Sequence, residues 1–232
     1  MSKTQGVATT PAAGRGAPGR MRVARAVRER EMLVVAAREF GSHGFNAASM
    51  ERIAAGAGVS KPMLYAYFES KEGLFVAAAE SAGDRLRDRV RVAVEVPGLA
   101  ADQRLWAGFL EVFGFVEEHR DAWLVLYPGG DQAAGSVGAG AARAREAMAN
   151  LLADLFAATA TEAGMPPEAV AQTQMMAHAV TGATIASASW WLDNSDEPKE
   201  AAALRLMNLV WRGFEGLMGG HLWLPQPRDG SG

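Results

Sequence analysis

The sequence predicts an all-α protein in two unequal parts: an N-terminal three-helix domain with a helix-turn-helix, and a larger helical body. Three observations carry this prediction. Apolar residues recur at three- and four-residue spacing through most of the chain, as a helix with one buried face requires. Clusters of glycine and proline fall between those periodic segments, at Gly56–Gly58, Pro97–Gly98, Pro128–Gly130 and Gly164–Pro167. The charge is also divided. The first 72 residues hold 11 Lys+Arg against 6 Asp+Glu, and the remaining 160 hold 12 against 20. At 232 residues and 49% hydrophobic, the chain can bury a sizeable core. The absence of cysteine excludes disulfides and thiol chemistry and suits a cytoplasmic protein.

Taken in order, residues 1–20 are rich in Gly, Ala, Pro, Thr and Arg and are expected to form a disordered basic tail. The helix-turn-helix domain is assigned to 21–71. Val27, Leu33, Val34, Ala37 and Phe40 mark a helix over about 22–42, closed by Gly44, with Phe45 turning back to the core. Ser49 opens a short helix carrying Met50, Ile53 and Ala54, and Gly56 and Gly58 break it. Ser60 opens another through Pro62, where a missing N–H is harmless. Two short helices joined by a glycine-containing turn form the helix-turn-helix pattern.

The residue order is more specific than that pattern. I-A-x-x-A-G-V-S over 53–60, followed by K-P-M-L-Y-A-Y-F-E-S-K-E-G-L-F over 61–75, resembles the DNA-binding domain of the TetR family of bacterial regulators. The resemblance covers about Glu29 to Phe75. Ala48 stands where the family commonly has Thr, and Met63 where a smaller residue is usual. The resemblance implies a reading head in which Ser60, Lys61, Pro62 and Met63 face the major groove. Tyr65 and Tyr67 would lie near the backbone, and Ser49 and Lys71 would hold phosphate at helix starts. The basic end suits such a role, and the arginines from Arg15 to Arg30 are expected to reach DNA as a basic arm does.

The body, 72–218, begins with a long helix from Lys71 to about Val96 that belongs to both parts. An amphipathic helix ending near His119 follows, then a short one over Ala122–Tyr127 and a flexible stretch over Gly135–Gly140. Further helices are expected over about Ala141–Ala163, from Pro167 to Trp190–Trp191, and from Pro198 to about Met218, leaving 219–232 as a loose tail. Residues 169–192 carry no formal charge, but Gln172, Gln174, His178 and several hydroxyls make them too polar to span a membrane. A buried helix is expected there.

An aromatic and methionine stripe is ordinarily core. The family resemblance implies a cavity among the middle helices, for which Trp106, Phe109, Phe113, Trp123, Tyr127, Met148, Leu152, Met175 and His178 are the candidate lining. Its ligand would be a hydrophobic or amphipathic small molecule, with His178, Gln174 or Thr181 as anchors. The resemblance also implies a two-fold dimer built on the last two helices of each chain. The small residues Ala179, Gly182, Ala183 and Ala186, with Val210, Phe214 and Leu217, are the candidate interface.

No catalytic motif is present. Gly138–Gly140 holds only part of a dinucleotide fingerprint, and the four histidines are scattered, so no enzyme activity, cofactor or metal is expected. The expected function is a repressor released from an inverted-repeat operator by its effector, with half-sites about 34–36 Å apart or a multiple of that. The alternative is a helical small-molecule binding protein that reads no DNA sequence.

Overall fold

The computed structural model describes residues 18–128, 135–162, 164–194 and 196–218, and these are helical with no strand among them. In chain order the helices are α1 (Pro18–Ala47), α2 (Met50–Gly56), α3 (Lys61–Phe68), α4 (Lys71–Val94), α5 (Ala101–Glu118), α6 (Arg120–Leu126), α7 (Gly135–Glu162), α8 (Pro167–Ala171), α9 (Thr173–Asn194) and α10 (Lys199–Met218). The expected tail at 1–17 and the tail at 219–232 lie outside the described residues.

Three boundaries differ from expectation. Helix α1 reaches back to Pro18, four residues before the expected start, because proline suits a first helical turn. Gly44, with φ 73° and ψ 167°, breaks the helical path as expected, and Phe45 after it returns to the core, so α1 is two helical segments meeting at a kink. The supposed flexible stretch Gly135–Gly140 is the first part of α7. A Cβ at Gly140 would lie 3.4 Å from both Val76 Cα and Ala79 Cβ, so this glycine serves close packing on α4. Lastly, the single helix expected from Pro167 is divided at Gln172 into α8 and α9.

Two cores result. In the head, Met32, Ala36 and Phe40 of α1 pack with Ile53 of α2, Leu64 and Phe68 of α3, and Leu74 and Phe75 of α4. Phe40, Phe45 and Phe75 form an aromatic triad with centroids 5.0–6.1 Å apart, where edge-on contacts add to simple burial. In the body, α5, α6, α7, α9 and α10 contribute Phe109, Phe113, Phe115, Trp123, Met148, Trp191 and Leu206, while α4 adds Leu86, Val90 and Val94.

The two cores are joined by shared helices. Helix α4 sends Leu74 and Phe75 into the head and Leu86, Val90 and Val94 into the body. Helix α6 does the same over a shorter distance: Trp123 and Leu126 belong to the body core and Val125 to the head core. Where α6 meets α1, a Cβ at Gly41 would fall 2.5 Å from the Asp121 carbonyl oxygen, so only glycine permits this approach. Ser42 Oγ donates to Asp121 Oδ1 at 3.3 Å across the same seam.

Candidate functional site

The head's outer face begins with two serine caps. Ser49 has extended backbone, and its hydroxyl accepts from Arg52 N at 3.3 Å. Ser60 caps α3 likewise, accepting from Met63 N at 3.3 Å. Between them Gly58 turns the chain with φ 64°, a conformation glycine adopts without strain. Helix α3 then buries Leu64 (0% exposed) and Phe68 and leaves Ser60, Lys61, Pro62, Met63 and Tyr65 exposed along the other side. These five therefore share one accessible surface, while Tyr67 is half-buried beside it.

Charged groups hold this surface in place. Glu39 of α1 is buried, at 9% exposure, and is satisfied by the neighbouring helix. Its Oε1 accepts from Arg52 Nε at 2.8 Å and from Ser49 N at 2.9 Å. The Arg52 guanidinium holds the Glu39 carboxyl below the usual carboxylate range, with the Ser49 amide assisting, against a burial effect that works the other way. Glu39, Arg52 and Glu51 were not singled out in the sequence, because long-range pairing across helices leaves no local pattern. Glu51 pairs with Lys61 and accepts from Ser49 Oγ at 3.0 Å, and the ammonium brings the Glu51 pKa down to about 2. The Arg25 guanidinium lies 4.9 Å from the Tyr67 ring centroid, a cation–π contact that ties the arm of α1 to α3. Lys71 Nζ donates to Asn46 O at 3.0 Å and sits 5.0 Å from the Phe45 centroid, so it pins α4 to the end of α1.

In the body, one cavity of ≈ 40 Å³ lies between α4, α5, α6, α7 and α9. Its walls include Leu86, Val90 and Val94 of α4, Phe109 and Val112 of α5, Trp123 of α6, Met148, Leu152 and Leu155 of α7, and Ile185 of α9, with Tyr127 just beyond α6. Polar atoms are few. Arg104 Nε donates to Leu99 O at 3.1 Å, and Thr181 and Thr184 face in from α9. Trp123 Nε1 donates to Ser189 Oγ at 3.1 Å, fixing the indole against α9. Burial pushes the Tyr127 phenol well above its ordinary range, so it stays protonated and can donate.

Of the nine residues expected to line a cavity, Phe109, Trp123, Tyr127, Met148 and Leu152 do so. The other four do not. Phe113 is fully buried, edge-on to Trp191 at 5.5 Å, and Trp106 packs on the outside of the body core. Met175 is 72% exposed, and His178 is exposed with Nε2 3.9 Å from Glu146 Oε1. Both stand on the outer face of α9, away from the cavity, and so does Gln174, which removes it as an anchor. Of the three suggested anchors only Thr181 reaches the cavity.

That outer face also corrects the expectation of a wholly buried α9. Ala179, Gly182 and Ala186 are exposed along it together with Met175 and Trp190, while Ala183 is partly covered. On α10, Leu204 and Leu209 are exposed at 52% and 71%, and Val210 is partly buried. The side chains of Phe214 and Leu217 lie outside the described residues. No group of three or more His, Asp or Glu suited to a metal ion occurs among the described residues. No helix there is long and apolar enough to cross a membrane.

Comparison with known proteins agrees with this geometry. Residues 32–78 match the model of the bacterial regulatory proteins of the tetR family, and residues 101–213 that of the tetracyclin repressor-like C-terminal domain. The HTH-type transcriptional activator FasR of Mycolicibacterium smegmatis is 30% identical over 195 residues, covering 83% of this chain and 85% of that protein. A TetR-like transcriptional regulator from Rhodococcus sp. RHA1 superposes with a TM-score of 0.63 at 36% identity, over 83% of this chain and 98% of that one. The regulator FadR from Bacillus subtilis, solved with stearoyl-CoA, shares the fold at a TM-score of 0.67 and 13% identity, over 78% and 96%. With a family match in each part and a relative alike over most of its length, the chain belongs to the TetR family of bacterial transcriptional regulators, and its α1–α3 unit is a DNA-binding head.

Proposed function

We propose that the protein is a homodimeric regulator whose hold on an inverted-repeat operator is loosened by an apolar or amphipathic small molecule in the body cavity. One observation carries this reading: the cavity wall and the head core share α4 and α6. At ≈ 40 Å³ the cavity has room for about three waters by the volume one water needs, so a larger ligand must push its walls apart. Displacement of Val90 or Trp123 is carried along rigid helices to Phe75 and Val125 in the head. That stearoyl-CoA occupies a protein of this fold supports a long-chain acyl compound as the first probe.

The exposed apolar face of α9 and α10 supports pairing with a second copy, through small residues that allow close helix approach. Two heads related by two-fold symmetry would then meet half-sites about 34–36 Å apart or a multiple of that, with Ser60, Lys61, Pro62, Met63 and Tyr65 toward DNA and Ser49, Tyr67 and Lys71 at its backbone. The test begins with selection of operators from random DNA, then measures operator affinity with and without stearoyl-CoA, and stearoyl-CoA affinity with and without operator. Linkage requires the two ratios to be equal. An operator without dyad symmetry, or unequal ratios, sinks the proposal.

Repression follows if the operator overlaps the promoter. Activation is a second reading, favoured by the name of the Mycolicibacterium relative. Transcription in vitro from a promoter bearing the selected operator decides between them.

A further inference from the structure

Two threonines on α9 face the cavity, and they are treated differently. Thr184 Oγ1 donates to Val180 O at 2.8 Å within its own helix. Thr181 is 6% exposed, and its Oγ1 meets no donor or acceptor among the described residues. A buried hydroxyl with no partner in the chain is destabilising unless water or a ligand meets it, and a valine of the same shape would avoid that loss. The fold thus keeps a polar atom where an apolar one would pack better, inside a cavity whose walls are otherwise nearly all hydrocarbon. A second polar group stands where α5 begins. Arg104 gives its Nε hydrogen to Leu99 O and forms no ion pair among the described residues, so its outer nitrogens remain available.

We infer that the effector is an amphipathic anion carrying an oxygen part-way along its apolar body, with the charge received by Arg104 and the in-chain oxygen by Thr181. This rests on the cavity being the effector site. The chemistry follows from the donor set. A guanidinium selects a carboxylate or phosphate end group. The Thr181 hydroxyl selects against a plain hydrocarbon, because a bound hydrocarbon displaces water from the cavity and offers that hydroxyl no bond in return. Hydroxyl-, keto- and ester-bearing chains all satisfy it.

Calorimetric titration of the full chain with decanoate and with 3-, 5- and 7-hydroxydecanoate tests the inference, alongside stearoyl-CoA as a reference probe. At least one hydroxylated isomer is expected to bind the wild type tenfold or more tighter than decanoate. In T181V that preference should fall below threefold, and in T181S, which keeps the hydroxyl, it should survive. T181V should also melt at a higher temperature than the wild type, a combination of higher stability and weaker discrimination that a packing role would not produce. If all four acids bind the wild type equally, or if the preference persists in T181V, the assignment of Thr181 is wrong while the effector site stands. If neither the acids nor stearoyl-CoA binds, the effector reading falls and takes this inference with it.

Discussion

Head and body are built from the same kind of helix, yet one buried polar group in each, Glu39 and Thr181, is treated in opposite ways. In the head, Glu39 is buried and met by Arg52 and the Ser49 amide, and the aromatic triad packs the same core. In the body, a cavity is left between five helices, and the hydroxyl of Thr181 is left unmet within it. A surface that must present side chains to DNA at fixed positions gains from a single rigid packing. A chamber that must admit another molecule requires the reverse, since a close-packed core offers no room.

The largest expected effect tests this contrast directly. Phe75→Ala removes a head side chain that is 1% exposed and should cost about 4 kcal/mol in urea denaturation, with operator binding lost. Phe109→Ala, in the cavity wall, should cost about 3 kcal/mol while ligand-free operator affinity stays near wild type. Equal loss of operator binding in both variants would break the separation of roles.

Next in size is Glu39→Gln, expected to destabilise by about 2 kcal/mol through weaker bonds to Arg52 and Ser49. The pH dependence has a definite sign. The Glu39 carboxyl is held below its ordinary value, so its contribution is complete above the unfolded carboxylate range, near pH 4.3. It disappears as pH falls through the lowered folded value. Urea midpoints of the wild type and E39Q should therefore converge on acidification from pH 7, and a constant gap would refute the assignment.

Two smaller effects sharpen the picture of the head's surface. Lys61→Ala should weaken binding to all sequences alike and lower the salt slope of binding by about 1. Glu51→Gln should act oppositely, because it frees Lys61 and removes a negative charge beside it. Binding about two- to threefold tighter at low salt, vanishing at high salt, is the expected outcome in a filter-binding titration.

The head was legible in the sequence because its determinants are local. A cap at Ser49 or Ser60, a positive-φ glycine at Gly58 and a buried Leu64 each depend on neighbours within a few residues. The cavity was half-legible. Phe109, Trp123 and Met148 announce themselves as buried, but whether a buried residue touches void or atoms depends on tertiary packing alone. Met175 and His178 were misplaced for a physical reason: α9 carries no charge before Asp193 and is rich in small or apolar residues all round, so no period shows which side turns inward. Gly135–Gly140 misled because glycine serves both loops and close helix contact, and at Gly140 it serves contact.

The meeting of Gly41 with Asp121 has a further consequence. It sets main chain against main chain, so no rotamer is available to absorb a displacement between α1 and α6. Any movement of α6 must be answered by α1 as a whole. From Gly41 back to Pro18 that helix runs roughly 35 Å at the usual rise per residue, with the Arg25–Tyr67 contact along it. A seam less than one side chain thick is therefore the fulcrum of a long arm. A shift of α6 at that seam would be handed to α1 and, through the Arg25–Tyr67 contact, to α3.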